Sequence, residues 1–130
     1  SRRQRQMCIR DRMTCVIKYY YHKGPRTCWQ TYYPKEQGYW DGDAVVWGQG
    51  GGLSAFVALR EASVDTEQEE YYRSLEDDMF KGIQHFWVTD HGRTAYSVYP
   101  DSGNDRFYDD NVWIGLDMAK WYAISKDVRY

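Results

Sequence analysis

Asp109 and Asp110 are adjacent carboxylates set among aromatic side chains, and they are the residues of this sequence best suited to chemistry. Tyr108 precedes the pair, and Trp113 opens the apolar helical pattern that follows it. Two carboxylates about 5 Å apart are the apparatus of a retaining glycosidase, in which one attacks the sugar and the other transfers a proton. The flanking rings are suited to stacking on sugars, so this segment indicates carbohydrate chemistry.

The same pair also has a purely structural interpretation. Asp and Asn are favoured at helix N-termini, because their oxygens accept hydrogen bonds from free backbone N–H groups and the helix dipole favours their charge. We therefore predict that Asp109, Asp110 and Asn111 lie where a helix begins. The dipeptide alone favours the role of a cap, whereas the aromatic flanks favour a functional role.

Three longer helices are predicted from the spacing of apolar residues. They span residues 44–62, 66–87 and 110–125. The last is apolar around most of its circumference, which predicts burial on several sides. Residues 89–92 are predicted to form a turn, and residues 94–99 alternate in a way that suits a short extended segment.

The positions of several polar residues in the helix predicted at residues 66–87 indicate a cap at its N-terminus and a solvated face. Thr66 is the predicted N-cap, with acidic residues in the first turn behind it. The acidic run of Glu76, Asp77 and Asp78 is predicted to be solvated, because a one-sided apolar stripe leaves the opposite face of a helix exposed.

Glycines at positions 48 and 50–52 fall within the start of the helix predicted at residues 44–62. Each costs about 1 kcal/mol relative to Ala in a helix interior, so close packing or room for a ligand should offset them. A phosphate-binding loop is disfavoured, since no Gly-Lys-Ser/Thr follows and no strand precedes.

A longer motif around the carboxylates, DRFYDDNVWIGLD at residues 105–117, resembles glycoside hydrolase family 76, the bacterial and fungal endo-α-1,6-mannanases. The resemblance extends over residues 39–130 and includes WGQG at residues 47–50 and AYSVYP at residues 95–100. It implies an all-α fold, a barrel of six inner and six outer helices called an (α/α)6 toroid. This chain would supply the N-terminal third of that catalytic domain.

The resemblance also implies an activity, the hydrolysis of internal α-1,6-mannosidic bonds with retention. The consecutive Asp pair is catalytic in the family, which makes Asp109 the nucleophile and Asp110 the general acid and then base. The nucleophile must be ionised and the acid must hold a proton near neutral pH. The sequence does not show which of the two has the raised pKa.

Polar and aromatic residues near the pair are predicted to bind the sugar polymer. Aromatic residues make up 18% of the chain, a richness common where carbohydrate is bound, although it also suits an ordinary core. The predicted substrate-binding residues are Tyr108, Trp113, Trp47 and Asn111. For Trp47 a sugar-stacking role and a core role both stay open, and Asn111 also suits a helix cap.

Residues 1–12, SRRQRQMCIRDR, resemble the translation of a sequencing-adapter remnant, and we interpret them as a non-native segment. The alternative is a basic arm that binds nucleic acid. Without the segment the chain is more acidic, which disfavours a nucleic-acid partner. Residues 13–130 are then predicted to be a partial (α/α)6 glycoside hydrolase domain, truncated at both ends and inactive alone.

The remaining predictions concern cofactors, cysteine pairing, membrane spans, export and oligomeric state. We expect no cofactor and no metal, since His22, His85 and His91 lie at no ligand spacing. Cys15 and Cys28 either pair or remain thiols. No apolar run of about 18 residues occurs, so no membrane span is expected. By analogy with the family, the complete protein is expected to be an exported bacterial monomer that acts on α-mannan.

Two other classes of function stay open on the sequence alone. One is a non-catalytic glycan-binding protein of the same fold, against which the intact Asp109 and Asp110 argue. The other is a different (α/α)6 carbohydrate-active enzyme, such as an unsaturated glucuronyl hydrolase or a sugar epimerase. Such enzymes use paired histidines that this sequence does not show.

Overall fold

A computed structural model describes residues 2–22, 26, 28–30, 42–101, 103 and 105–130. The described residues form four helices and two short antiparallel strand pairs, and the predicted all-α fold is confirmed. In chain order the elements are α1 (Arg2–Tyr20), β1 (Tyr21–His22), β2 (Cys28–Trp29), α2 (Val46–Ser63), α3 (Glu69–Gln84), β3 (Trp87–Asp90), β4 (Arg93–Tyr96) and α4 (Tyr108–Ser125). Strand β1 pairs with β2, and β3 pairs with β4.

Helix α2 lies at the centre of the fold, because it packs against both α3 and α4. It forms within two residues of its predicted bounds, and its buried side chains recur at helical spacing. Burying a side chain such as Leu or Phe contributes about 1.5–3 kcal/mol relative to leaving it exposed. The core residues that are almost wholly buried are Val46, Leu53, Leu75, Met79, Ile83, Phe86, Ile114 and Trp121.

Helix α3 buries the apolar stripe that predicted it, and it is three residues shorter than predicted at each end. Gln68, not Thr66, occupies the N-cap position and makes no side-chain capping bond. The Thr66 hydroxyl lies just before the helix, where it accepts from the Gln68 N–H over 3.3 Å and donates to the Ser63 carbonyl over 2.7 Å. At the other end Trp87 leaves the helix to begin β3, where it pairs with Tyr96. The two rings lie 4.7 Å apart, a contact between strands that helical periodicity does not reveal.

The predicted solvation of the acidic run in α3 was wrong at Glu76, which is buried. Glu76 Oε2 lies 3.2 Å from Nε of Arg60 on α2, so the two charges pair between the packed helices. Burial raises the pKa of the Glu76 carboxyl, and the Arg60 charge opposes that rise. Asp77 is half-exposed and pairs with Arg129 over 2.7 Å.

Trp29 is a core residue that the sequence pattern did not reveal. Its backbone is held by Gln49 of α2, whose side-chain amide accepts from the Trp29 N–H over 3.0 Å and donates to the Trp29 carbonyl over 3.1 Å. Its indole lies against α2 at Gly52, where an added Cβ would overlap the ring. Close packing therefore explains one of the glycines in α2.

Replacing Gly52 with alanine is expected to destabilise the complete protein by up to about 2 kcal/mol. Overpacking against Trp29 costs about 1–3 kcal/mol, and the gain in helix propensity returns roughly 1 kcal/mol. Gly51 is the matched control, because a Cβ there meets no atom within 4 Å among the described residues. Gly51→Ala should raise the urea midpoint and Gly52→Ala should lower it. A rise for both variants would contradict the packing of Trp29.

One face of α4 is apolar and exposed within this chain, so the burial on several sides that its apolar pattern predicts is not complete here. Its opposite face packs against α2 through Ile114 and Trp121. The exposed face has the helical spacing of a second apolar stripe, which other elements would cover in a larger protein. The exposed apolar residues of α4 include Tyr108, Val112, Leu116 and Tyr122.

Helix α1 runs through position 12 without a break, and most of its described side chains are exposed. The interpretation of residues 1–12 as non-native stays a prediction. Cys15 is an exposed free thiol, and the side chain of Cys28 lies outside the described part of the chain. Within the described ranges, no helix is both long enough and apolar enough to cross a membrane.

Candidate active site

The loop between β4 and α4 brings the N-termini of α2 and α4 to one end of the fold. The Val46 N–H donates to the Val98 carbonyl over 3.0 Å, and the Val98 N–H donates to the Asp105 carbonyl over 2.9 Å. The Ser97 N–H donates to the Phe86 carbonyl over 2.8 Å, which ties the loop to the end of α3. Two helix N-termini, with the positive ends of their dipoles, therefore lie side by side.

Asn111 fixes the start of α4 to strand β4. Its Oδ1 accepts from the Tyr96 N–H over 2.8 Å, and its Nδ2 donates to the Tyr96 carbonyl over 3.0 Å. Nδ2 also donates to the carbonyl of Phe107 over 2.9 Å. These bonds give Asn111 a structural role, and its assignment to substrate binding stays a prediction.

Asp109 and Asp110 lie in the first turn of α4, where the sequence predicted them. Neither is the cap, since Phe107 is the N-cap residue and makes no side-chain capping bond. Successive residues of a helix turn by about 100°, so the two carboxylates face different directions. Asp109 is exposed, whereas only 7% of Asp110 is exposed.

The burial of Asp110 changes the acidity of its carboxyl. Removal from water raises the pKa of Asp110, and the negative charge of Asp109 raises it further. Asp109 stays in water in the first turn of α4. The buried carboxyl is therefore better suited to hold a proton than an ordinary aspartate, and the exposed one is accessible from solvent.

The structure brings together two of the predicted aromatic residues, Trp47 of α2 and Trp113 of α4. Their rings meet edge to face with centroids 4.7 Å apart and an angle of 77°. Trp47 is 53% exposed, so it is not an ordinary core residue. Tyr108 is 93% exposed and does not pack with this pair. The arrangement provides an aromatic surface one helical turn from the carboxylates, with Tyr108 apart from it.

Sequence reasoning missed two polar residues beneath the aromatic pair. Asp117 is fully buried on α4, and its Oδ2 accepts a short hydrogen bond from the hydroxyl of Ser54 on α2. The Ser54 Oγ in turn accepts from Nε1 of Trp113 over 2.7 Å. An acid placed within the apolar stripe of a helix was the available signal, because a buried charge needs partners.

The described residues contain no group of three or more His, Cys, Asp or Glu side chains arranged to hold a metal ion. The chemistry visible at this end of the fold is that of a buried carboxyl with a raised pKa and an exposed carboxyl, beside exposed aromatic rings. Such an arrangement can combine proton transfer with nucleophilic attack on a sugar.

The solved structures that are similar to the chain include two glycoside hydrolases. One is a family 76 glycoside hydrolase from a bovine Bacteroides thetaiotaomicron strain, with 95% sequence identity and a TM-score of 0.88. The other is a family 76 glycoside hydrolase, named a mannosidase, from Bacteroides thetaiotaomicron VPI-5482, with 57% identity and a TM-score of 0.88. Each match covers 96% of this chain.

The chain spans 26% of the length of the first structure and 34% of the second, so it corresponds to a part of each. No protein-family model and no curated protein matches the sequence.

Proposed function

The chain belongs to glycoside hydrolase family 76, and we propose that the complete protein is an endo-acting, retaining hydrolase of α-1,6-mannosidic bonds in mannan. The observation that carries the proposal is the pairing of an exposed Asp109 with a buried Asp110 whose pKa is raised. A relative named as a mannosidase supports mannose as the sugar. The position of the linkage and the internal mode of cleavage follow from the family resemblance.

In the first step Asp109 attacks the anomeric carbon of a mannose unit. The bond from that carbon to the glycosidic oxygen breaks, and Asp110 gives its proton to the departing oxygen. The products are a mannosyl ester on Asp109 and the freed end of the polymer. The raised pKa of Asp110 supports this assignment, because the acid must be protonated when the sugar binds.

In the second step water enters on the side that the departing sugar has left. Asp110, now ionised, takes a proton from the water, and the resulting hydroxide attacks the anomeric carbon. The ester bond breaks, Asp109 is regenerated as a carboxylate, and Asp110 again carries its proton. Two inversions at one carbon give net retention of configuration.

The proposal also assigns substrate binding to aromatic residues and a complete toroid to the full-length protein. Trp47 and Trp113 would stack on mannose units beside the bond that is cleaved, and Tyr108 would contact the polymer from the exposed side of α4. Further helices of the complete protein would cover the apolar face of α4 and close an (α/α)6 toroid. The protein would be exported from a bacterium, work without a cofactor and act as a monomer.

The test is an assay of the complete protein that contains this chain, expressed without residues 1–12, on linear α-1,6-mannan. Release of oligosaccharides of several lengths indicates internal cleavage. Nuclear magnetic resonance of the first product should show the α-anomer before mutarotation, which indicates retention. Binding of mannan without release of sugars would support a glycan-binding protein instead. Cleavage of a different α-glycan would show that the proposed substrate is wrong.

A further inference from the structure

We propose that Ser54 and Asp117 are positioning residues that hold Trp113, and through it Trp47, as the sugar-stacking surface beside the catalytic pair. This inference rests on the proposed function and deepens it, because it names what sets the geometry of substrate binding. It follows from a chain of contacts that joins the interior between α2 and α4 to the exposed ring of Trp47.

The chain of contacts begins at a buried charge. Asp117 is fully buried, with Ile114 and Trp121 on the same face of α4. Its Oδ2 accepts from the Ser54 hydroxyl, and its Oδ1 accepts from Nζ of Lys120 over 3.1 Å. An apolar residue of similar size is often equally stabilising at such a site, so stability alone does not explain an acid here.

The direction of the hydrogen bonds matters for Trp113. A serine hydroxyl has a single proton, and here that proton is directed at the carboxylate of Asp117. The lone pairs of Ser54 Oγ therefore remain available to the indole N–H of Trp113, 2.7 Å away. Through polarisation, the bond from Ser54 to Asp117 strengthens the bond from Trp113 to Ser54. Without Asp117 the hydroxyl is free to rotate and the indole loses a fixed acceptor.

Trp113 links this interior pair to the site. It follows Asp110 by three positions and Asp109 by four, so it lies one helical turn from both carboxylates. Its Cδ2 atom lies 4.0 Å from the point where Gly50 would carry a Cβ, so the indole lies close to the backbone of α2. Its ring edge meets Trp47, whose exposed half faces solvent.

A fixed indole therefore sets the direction of the exposed ring. The hydrogen bond at Nε1 restrains rotation of Trp113 about its side-chain bonds, and edge-to-face packing passes that restraint to Trp47. A ring that is already oriented loses less conformational entropy when a sugar stacks on it, which favours binding. Loss of Ser54 or Asp117 should therefore weaken binding of the polymer more than it slows the chemical step.

The experiment compares variants of the complete protein on linear α-1,6-mannan. Asp117→Asn and Ser54→Ala should each raise KM about tenfold, the size expected for losing one oriented aromatic contact, with kcat within about twofold of wild type. Ser54→Thr keeps the hydroxyl and should stay near the wild-type KM. Ser63→Ala is the matched control, because Ser63 is another serine of α2 and its hydroxyl donates to the Arg60 carbonyl in its own helix over 2.9 Å.

A double-mutant cycle then tests whether Asp117 acts through the indole. In a Trp113→Phe background, which has no ring N–H, Asp117→Asn should raise KM no further. Additive effects on KM, or variants that only lower the melting temperature, would overturn the inference while leaving the proposed function intact. If the wild-type protein binds mannan without cleaving it, the proposed function fails and the same cycle on Kd decides the inference. A wild-type protein that neither binds nor cleaves mannan overturns both.

Discussion

Replacement of Asp109 by alanine is expected to lower kcat of the complete protein on linear α-1,6-mannan by about 10⁴-fold or more, as loss of an enzymic nucleophile typically does. Asp109 would form the covalent bond to the sugar, and water in its place attacks without activation or positioning. KM should change little by comparison, because an exposed carboxylate contributes little to holding an uncharged polymer. The measurement is the initial rate of release of reducing ends, with Asp105→Ala as an exposed acidic control.

A small nucleophile distinguishes the role of Asp109 from that of a binding residue. Azide can enter the space left by the missing side chain and attack the anomeric carbon directly. Asp109→Ala should therefore regain turnover in azide on a mannoside with a good leaving group, and the mannosyl azide formed should have inverted configuration. Full activity of Asp109→Ala would show that another group is the nucleophile.

Replacement of Asp110 by asparagine is expected to lower kcat/KM on mannan by about 10²–10⁴-fold, the usual contribution of a general acid. The loss should be much smaller for an aryl mannoside, since a good leaving group departs without a proton. The alkaline side of the pH profile should also change. Burial and the charge of Asp109 raise the pKa of Asp110, so wild-type activity should fall at a higher pH than an ordinary Asp would give.

The Asp110→Asn variant should lack that alkaline decline, because asparagine has no proton to lose. Equal losses on mannan and on the aryl mannoside, or an unchanged alkaline limb, would show that Asp110 is not the acid. Catalysis by some other carboxyl would then have to be sought in the part of the protein beyond this chain.

The same substitution has an expected effect on stability. The raised pKa means that the folded protein binds the Asp110 proton more tightly than the unfolded chain does. Stability associated with this group is therefore highest below its ordinary pKa of 3.8 and is lost as the pH rises through the folded value. Asp110→Asn avoids that loss, so its melting temperature should exceed that of wild type near pH 7 more than at pH 3. A variant that is less stable at both pH values would contradict the burial cost assigned to Asp110.

Several features of the fold were predictable from the sequence because they depend on neighbours along the chain. Apolar spacing located α2 and α3 to within three residues at each end. The Asp-Asp-Asn segment marked the start of α4, since such residues favour helix N-termini. The motif around that segment indicated glycoside hydrolase family 76, and the two similar structures confirm it.

The features that the sequence did not predict depend on contacts between segments that are distant along the chain. The sequence predicted that Glu76 is solvated. Its burial depends on an ion pair with Arg60, which lies on another helix and is not identified by the spacing within α3. The sequence did not show which residue packs against Gly52, because Trp29 lies on a strand distant from Gly52 along the chain. Tertiary packing also placed Asp117 and Ser54 beneath Trp113 and left the apolar face of α4 uncovered.

Asp109 and Asp110 show which properties the sequence determined and which the tertiary structure decided. The sequence by itself determined that two consecutive acidic residues lie at the start of a helix, because residue type and helical periodicity are local properties. Only the tertiary structure decided that Asp110 is buried and Asp109 exposed. The acidity of a carboxyl depends on how much water surrounds it and which charges lie nearby, and those are set by the packing of α2, β4 and α4.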